Sequence, residues 1–238
     1  MLITGGIMTK FGIIVVVGLA LLAVTIMAAS ENNSSNADES KSIKLPEPRT
    51  DGGIAVEMAL KERRSIRSFG KEGLTLDEVS QLLWAAQGVT DDQGHRTAPS
   101  AMARYPLQVY LLAGNVTGLP SGVYHYSPQS HSLTVIHQGN IDEYYSAAAG
   151  FEAWIKTAPA IFVITGDMSS MNTIPGRDLS RWVYVEAGAA AENLLLEVVS
   201  LDLACTYTAG FDANKTQELL GLTEGEVPIG VLPVGRKA

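Results

Sequence analysis

The sequence predicts an α+β domain in which helices cover a sheet, and three observations predict it. Short β-rich runs bounded by Pro or Gly, "PLQVYLLAG", "APAIFVITG" and "VPIGVLPVG", are spread along the chain. Helical patterns of two kinds separate them: "TLDEVSQLLWAAQG", with start and stop signals, and the long apolar "RDLSRWVYVEAGAAAENLLLEVVSLDL". The elements alternate without an internal repeat. A helix-covered α+β sheet accounts for that alternation better than a Greek-key or ferredoxin-like sandwich does.

The elements follow in chain order. Phe11 to Ala29, "FGIIVVVGLALLAVTIMAA", carries no charge, long enough as a helix to cross a bilayer. Residues 1–30 therefore read as a membrane anchor or, with "AAS" at Ala28 to Ser30, a secretory signal. Lys10 before the span and Glu31, Asp38 and Glu39 after it favour an extracytoplasmic domain, anchored or secreted after cleavage. Residues 31–48, polar and acidic, read as a flexible tether, and 49–238 as one folded domain. At its start, Ile54, Met58 and Lys61 share one face of a short helix that delivers several arginines at its end. The next helix opens on the capping box Thr75-x-x-Glu78 and stops at Gly88.

Charge narrows the function. The 238 residues are 46% hydrophobic and 18% charged with a net charge of −8, so the overall field repels nucleic acid. No nucleic-acid partner is expected. One cysteine, Cys205, excludes an internal disulfide and a cysteine metal cage, and "LACTY" around it reads as buried core. His95, His125, His131 and His137 lack the HExxH spacing, so no metal is expected, and no GxSxG marks a serine hydrolase.

Against this acidic background, "KERRSIRSFG" (Lys61 to Gly70) concentrates cations and hydroxyls. Clustered arginines are ordinarily a solvated face. Two or three guanidinium forks with a hydroxyl can instead surround a phosphate, and the chain has neither GxxxxGK[ST] nor GxGxxG to do so by backbone.

The stretch "ALKERRSIRSF" resembles the FMN-phosphate motif of the nitroreductase superfamily. "LLWAAQG", "APSAMARYPLQVYL", "SGVYHYSPQSHSL", the long helix and "GVLPVGR" follow in the family's order. Tyr124 to Leu133 is similar to the SagB-type branch, the thiazoline and oxazoline dehydrogenases. The resemblance implies a central mixed or antiparallel sheet covered by helices, with FMN at a homodimer interface. It places Arg63, Ser65 and Arg67 on the FMN phosphate, with Arg64 a helper or a surface residue and Arg236 reaching it from the far end of the chain. Pro99, Ser100 and Ala101 would run beside the flavin. Thr208, Ala209 and Gly210 would turn backbone N–H groups toward its ring. Relatives often carry Glu at the position of Ala209 and Asn at that of Ala103, so side-chain roles there are lost while backbone contacts survive.

The implied function is an FMN-dependent oxidoreductase passing hydride through flavin N5, its substrate a small molecule or peptide derivative. The alternative is a flavin-binding subunit that serves a partner and has little turnover of its own. Tyr124, His125 and Tyr207 are the catalytic candidates, each weighed against ordinary strand packing, as is Lys156. Gly188 and Ala189 to Ala191 would let the long helix approach a second copy closely.

Overall fold

The computed structural model describes residues 42–171 and 178–238. Seven strands form one antiparallel sheet in the order β1-β6-β5-β3-β7-β9-β8. They are β1 Ser42–Lys44, β3 Leu107–Ala113, β5 Gly122–Ser127, β6 Ser132–Gln138, β7 Ala160–Asp167, β8 Leu203–Cys205 and β9 Glu226–Arg236. A two-residue parallel pair, β2 Leu74–Thr75 and β4 Val116–Thr117, stands apart. The helices are α1 Val56–Glu62, α2 Leu76–Gln87, α3 Asp142–Ala149, α4 Ser180–Ser200 and α5 Ala213–Leu220.

Both faces of the central strands are buried, which is why β3 and β7 read as near-continuous apolar runs. Leu107, Val109 and Leu111 of β3 and Phe162 and Ile164 of β7 face α2 and α4, packing on Val79, Leu83, Val183 and Leu194. Tyr110, Leu112, Ile161 and Val163 face the other way, toward Ile141 just ahead of α3, Tyr145 and Ala148 within it, and Leu220 of α5.

The capping box forms as expected: Glu78 N–H donates to Thr75 Oγ1 (3.2 Å) and Thr75 N–H to Glu78 Oε2 (2.8 Å). The long helix α4 also forms. Its Ala190 and Ala191 are buried against the chain's own core, so that part of the small-residue stretch is not available to a second copy.

The expected tether is corrected at its end. Ser42 to Lys44 pair with β6 and Leu45 is 3% exposed, so the folded domain begins inside residues 31–48. His131 pins this strand: its Nε2 lies 2.9 Å from the Pro46 carbonyl and its Nδ1 2.9 Å from the Tyr126 hydroxyl. Ser80 Oγ lies 2.7 Å from the same Nε2 and donates to the Pro46 carbonyl (2.6 Å), so imidazole, hydroxyl and carbonyl meet at the end of the strand. A three-residue edge strand in a polar stretch has too little periodicity to be read locally. The span expected at Phe11 to Ala29 lies outside the described residues; among those described, no helix is long and apolar enough to cross a membrane.

Candidate functional site

Helix α1 ends where the arginines begin. Arg63 leaves helical geometry (φ −55°, ψ 126°), and the chain then runs along the outer edge of the sheet. Ile66 N–H donates to Cys205 O (2.9 Å), Phe69 bridges Lys237, and Gly70 N–H donates to Arg236 O (2.9 Å). The segment thus lies against β8 and the end of β9. Arg63 Nε sits 3.3 Å from Glu192 of α4. Arg64 turns back onto the Lys61 and Arg63 carbonyls (2.9 and 2.7 Å), capping the last turn of α1. Arg67 has no carboxylate partner among the described residues; its guanidinium lies 6.0 Å from the Trp154 ring centroid. Ser65 and Arg67 are exposed.

Arg236 has an intramolecular partner that the sequence reading lacks. Its two terminal nitrogens donate to Glu78 Oε1 (2.5 Å) and Oε2 (2.9 Å), the same carboxylate that caps α2. Burial alone raises the Glu78 carboxyl, but the Arg236 bond and the Thr75 N–H outweigh it and hold the group below its ordinary value of 4.5. Arg236 therefore joins the end of β9 to the start of α2.

Past β8 the chain reaches Thr208–Gly210. Thr208 exchanges both backbone bonds with Val231 (3.1 and 2.9 Å), and its hydroxyl donates to Glu152 Oε1 (2.8 Å). Gly210 N–H donates to Thr208 Oγ1 (3.1 Å), while the exposed Ala209 N–H has no acceptor among the described residues. Tyr207 is half-buried against Gly230, where an added Cβ would meet its ring at 2.2 Å; burial raises its phenol above the ordinary value. Glu152 Oε2 in turn accepts from the Trp154 indole (3.0 Å) on which Arg67 rides. Ser65–Arg67 and Thr208–Gly210 are therefore brought to one region of the sheet edge, joined through Glu152 and Trp154. Sequence reasoning missed both of those residues; "FEAW" shows only an acid and two aromatics in a loop.

Pro99–Ala101 lies elsewhere in the chain. Ala101 N–H donates to Glu186 Oε1 (2.8 Å), a buried carboxylate of α4, and Ser100 Oγ accepts from Tyr105 N–H (2.7 Å). Met102, Ala103 and Tyr105 all hold positive φ (56°, 51° and 49°), a concentration of strain of the kind that clusters at functional sites. An open apolar groove of 560 Å³ runs between this loop and Trp182, Val185 and Glu186. No hydrogen bond or ion pair among the described residues ties the loop to Ser65–Arg67 or to Thr208–Gly210.

The remaining candidates divide. Tyr124 is fully buried in the core, its hydroxyl donating to Pro120 O (2.6 Å). His125 faces the opposite side of the sheet, with Nε2 2.9 Å from Gln108 Oε1 and its ring 5.0 Å from Tyr110; burial lowers its pKa. It stands apart from the Thr208 turn. Lys156 donates to Ser146 Oγ (3.0 Å) on the rim of a separate polar groove with Lys71 and Asp142. Cys205 is buried, as the apolar stretch around it predicts, and its thiol is pushed up by that burial. No group of three His, Cys, Asp or Glu among the described residues could hold a metal.

Residues 60–236 match the model of the Nitroreductase family. The chain belongs to the nitroreductase family. This nitroreductase-family chain is 36% identical over 184 residues to a Methanocaldococcus jannaschii protein that carries the nitroreductase name, covering 77% of this chain and 92% of that one. A crystal structure from Ralstonia eutropha, also described as a nitroreductase, superposes with a TM-score of 0.74 at 30% identity, over 85% of this chain and 92% of that one. A chain of the Escherichia coli microcin synthetase McbBCD complex shares the fold, with a TM-score of 0.66 at 22% identity over 87% and 80% of the two chains. Family membership makes an oxidoreductase of the nitroreductase kind the coarse functional assignment.

Proposed function

We propose that the protein is an FMN-dependent oxidoreductase. The observation that carries this reading is the meeting at one edge of the sheet of Ser65–Arg67, whose Arg67 has no carboxylate partner among the described residues, and the Thr208–Gly210 turn, whose Ala209 N–H has no acceptor among them. These donors fit a phosphorylated flavin: a guanidinium and a hydroxyl suit the phosphate, and a backbone N–H suits a ring oxygen or nitrogen. Arg67 and Ser65 take the phosphate, Arg63 supports them beside Glu192, and Arg236 adds the donors that Glu78 leaves unused. When bound, FMN supplies a ring nitrogen that accepts or donates hydride. The chain's own part is to bind, orient and exclude water. Tyr207, its phenol raised by burial, stays protonated at neutral pH and can donate a proton but not act as a base.

The Pro99–Ala101 loop completes the site from a second copy. It sits apart from the Thr208 turn, yet α1 and α4, which pack together, expose Val56 (57%), Leu60 (57%), Tyr184 (54%) and Val185 (72%). Apolar exposure of this extent suits a homodimer interface. The SagB-type reading, an azoline-type dehydrogenase, rests on the Tyr124 to Leu133 motif, and the extracytoplasmic, membrane-anchored placement on Phe11 to Ala29 and its flanking charges.

Purified full-length protein tests the proposal. A yellow preparation that bleaches with a reductant and recovers with an acceptor is expected, whereas a stably bound flavin that does not cycle indicates a subunit serving a partner. Arg67→Ala should weaken FMN roughly tenfold or more, the loss of one charge-assisted contact. Equal FMN affinity in variant and wild type would refute the phosphate assignment.

A further inference from the structure

Glu152 stands where the two halves of the proposed flavin site meet. Its side chain is half-buried and uses both oxygens: Oε1 accepts from the Thr208 hydroxyl (2.8 Å), and Oε2 accepts from the Trp154 indole (3.0 Å). Thr208 Oγ1 then accepts from Gly210 N–H (3.1 Å), so the carboxylate polarises the hydroxyl that holds the turn. On the other side, the Trp154 ring carries the Arg67 guanidinium at 6.0 Å. One anion thus lies between the segment assigned to the phosphate and the turn assigned to the ring.

The loop that delivers Glu152 is itself fixed. Gly150 ends α3 with φ 51°, and a Cβ there would lie 2.3 Å from Gly210 O, so the loop's backbone touches the turn directly. Asp212 N–H donates to Ala147 O (2.9 Å), anchoring the far end of the turn to α3.

We propose that Glu152 is a positioning residue: its carboxylate sets the Thr208–Gly210 turn against the Trp154 indole beneath Arg67, coupling the phosphate side of the site to the ring side. The proposal rests on the flavin reading above. It follows from donor chemistry, because the hydroxyl and the indole each donate to one of its two oxygens. In Glu152→Gln one amide oxygen remains, so either the donor-only Trp154 indole faces an NH₂ group or the Thr208 hydroxyl must reverse and accept from it, and the negative charge is lost in both cases.

Two readouts on the full-length protein test it. Trp84, Trp154 and Trp182 give three indole N–H resonances in a ¹H–¹⁵N spectrum, the middle residue assigned by Trp154→Phe. Without any flavin, Glu152→Gln and Thr208→Val should each move the Trp154 resonance, while unmoved Trp84 and Trp182 resonances report an intact fold. FMN affinity, from quenching of flavin fluorescence, should fall roughly three- to tenfold in each single variant. The double variant should lose less than about twofold beyond either single one, because both remove the same link.

A Trp154 resonance unmoved by both variants overturns the brace. A moved resonance with unchanged or fully multiplicative FMN affinities overturns the coupling. If wild-type protein fails to quench FMN at all, the flavin reading falls and the positioning role with it, while the indole resonance still decides the brace.

Discussion

Replacing Glu78 tests the joint that closes the β9 end of the site. Its side chain is 17% exposed and that of Arg236 30%, so the pair is screened less than an ordinary surface ion pair. Glu78→Gln leaves an acceptor for the Thr75 N–H but removes the charge and one of two parallel bonds to Arg236. We expect a loss of about 1–2 kcal/mol for that variant, below the full value of a charge-assisted bond because Arg236 can turn to water. Glu78→Ala also removes the cap, bringing the loss to about 2–3 kcal/mol. At roughly 2–4 °C per kcal/mol for a domain of this size, Tm falls by about 2–8 °C for Gln and about 4–12 °C for Ala.

The sign of the pH dependence follows from the lowered Glu78 pKa. A carboxyl held below its unfolded value stabilises the fold above that value, about 4.3, and loses the contribution as pH falls through the folded one. The gap between wild type and Glu78→Gln should therefore be full at neutral pH and shrink as pH falls below the unfolded value and through the lower folded one. Thermal melts followed by circular dichroism at neutral and acid pH measure it. Equal melting at neutral pH, or a gap undiminished in acid, refutes the reasoning.

Other outcomes follow from burial. Cys205 should resist a thiol reagent in the native protein and react only on unfolding, since it is 1% exposed and its thiol is raised; rapid native labelling contradicts this. If the proposed homodimer forms through this face, Val185→Asp should leave the fold intact, the side chain being 72% exposed, but shift the protein to monomer in sedimentation velocity and lower the proposed FMN loading; a wild-type monomer refutes the dimer, and an unchanged dimer places the interface elsewhere.

What could be read from the sequence was what is encoded locally. Helix α2 was legible because its cap, Thr75 and Glu78, lies within one turn, and β3, β7 and β9 because both their faces are buried. The second employment of Glu78 was not, since Arg236 lies 158 residues away in sequence and the pairing is made by the fold alone. Tyr124 and His125 illustrate the limit of period-two reasoning: neighbours in a strand face opposite sides, and only the sheet's packing shows that one is core and the other lies apart from the Thr208 turn. Glu152 carried no signal, because a single acid in a loop acquires its role only from Thr208 and Trp154 arriving from elsewhere.

The sheet order also fixes where force and added mass enter the molecule. The chain enters the sheet through β1 at one outer edge and ends beyond β9, beside β8 at the other; six strand spacings of about 4.8 Å separate those edges by roughly 29 Å. Tension applied ahead of Ser42 is borne first by the three residue pairs of β1 with β6 and by the His131 latch at Pro46. The strip formed by Ser65–Gly70, β8 and the end of β9 is not on that load path. The C-terminus is placed oppositely: Lys237 bridges Phe69, so whatever is fused after Ala238 hangs beside the arginine segment itself.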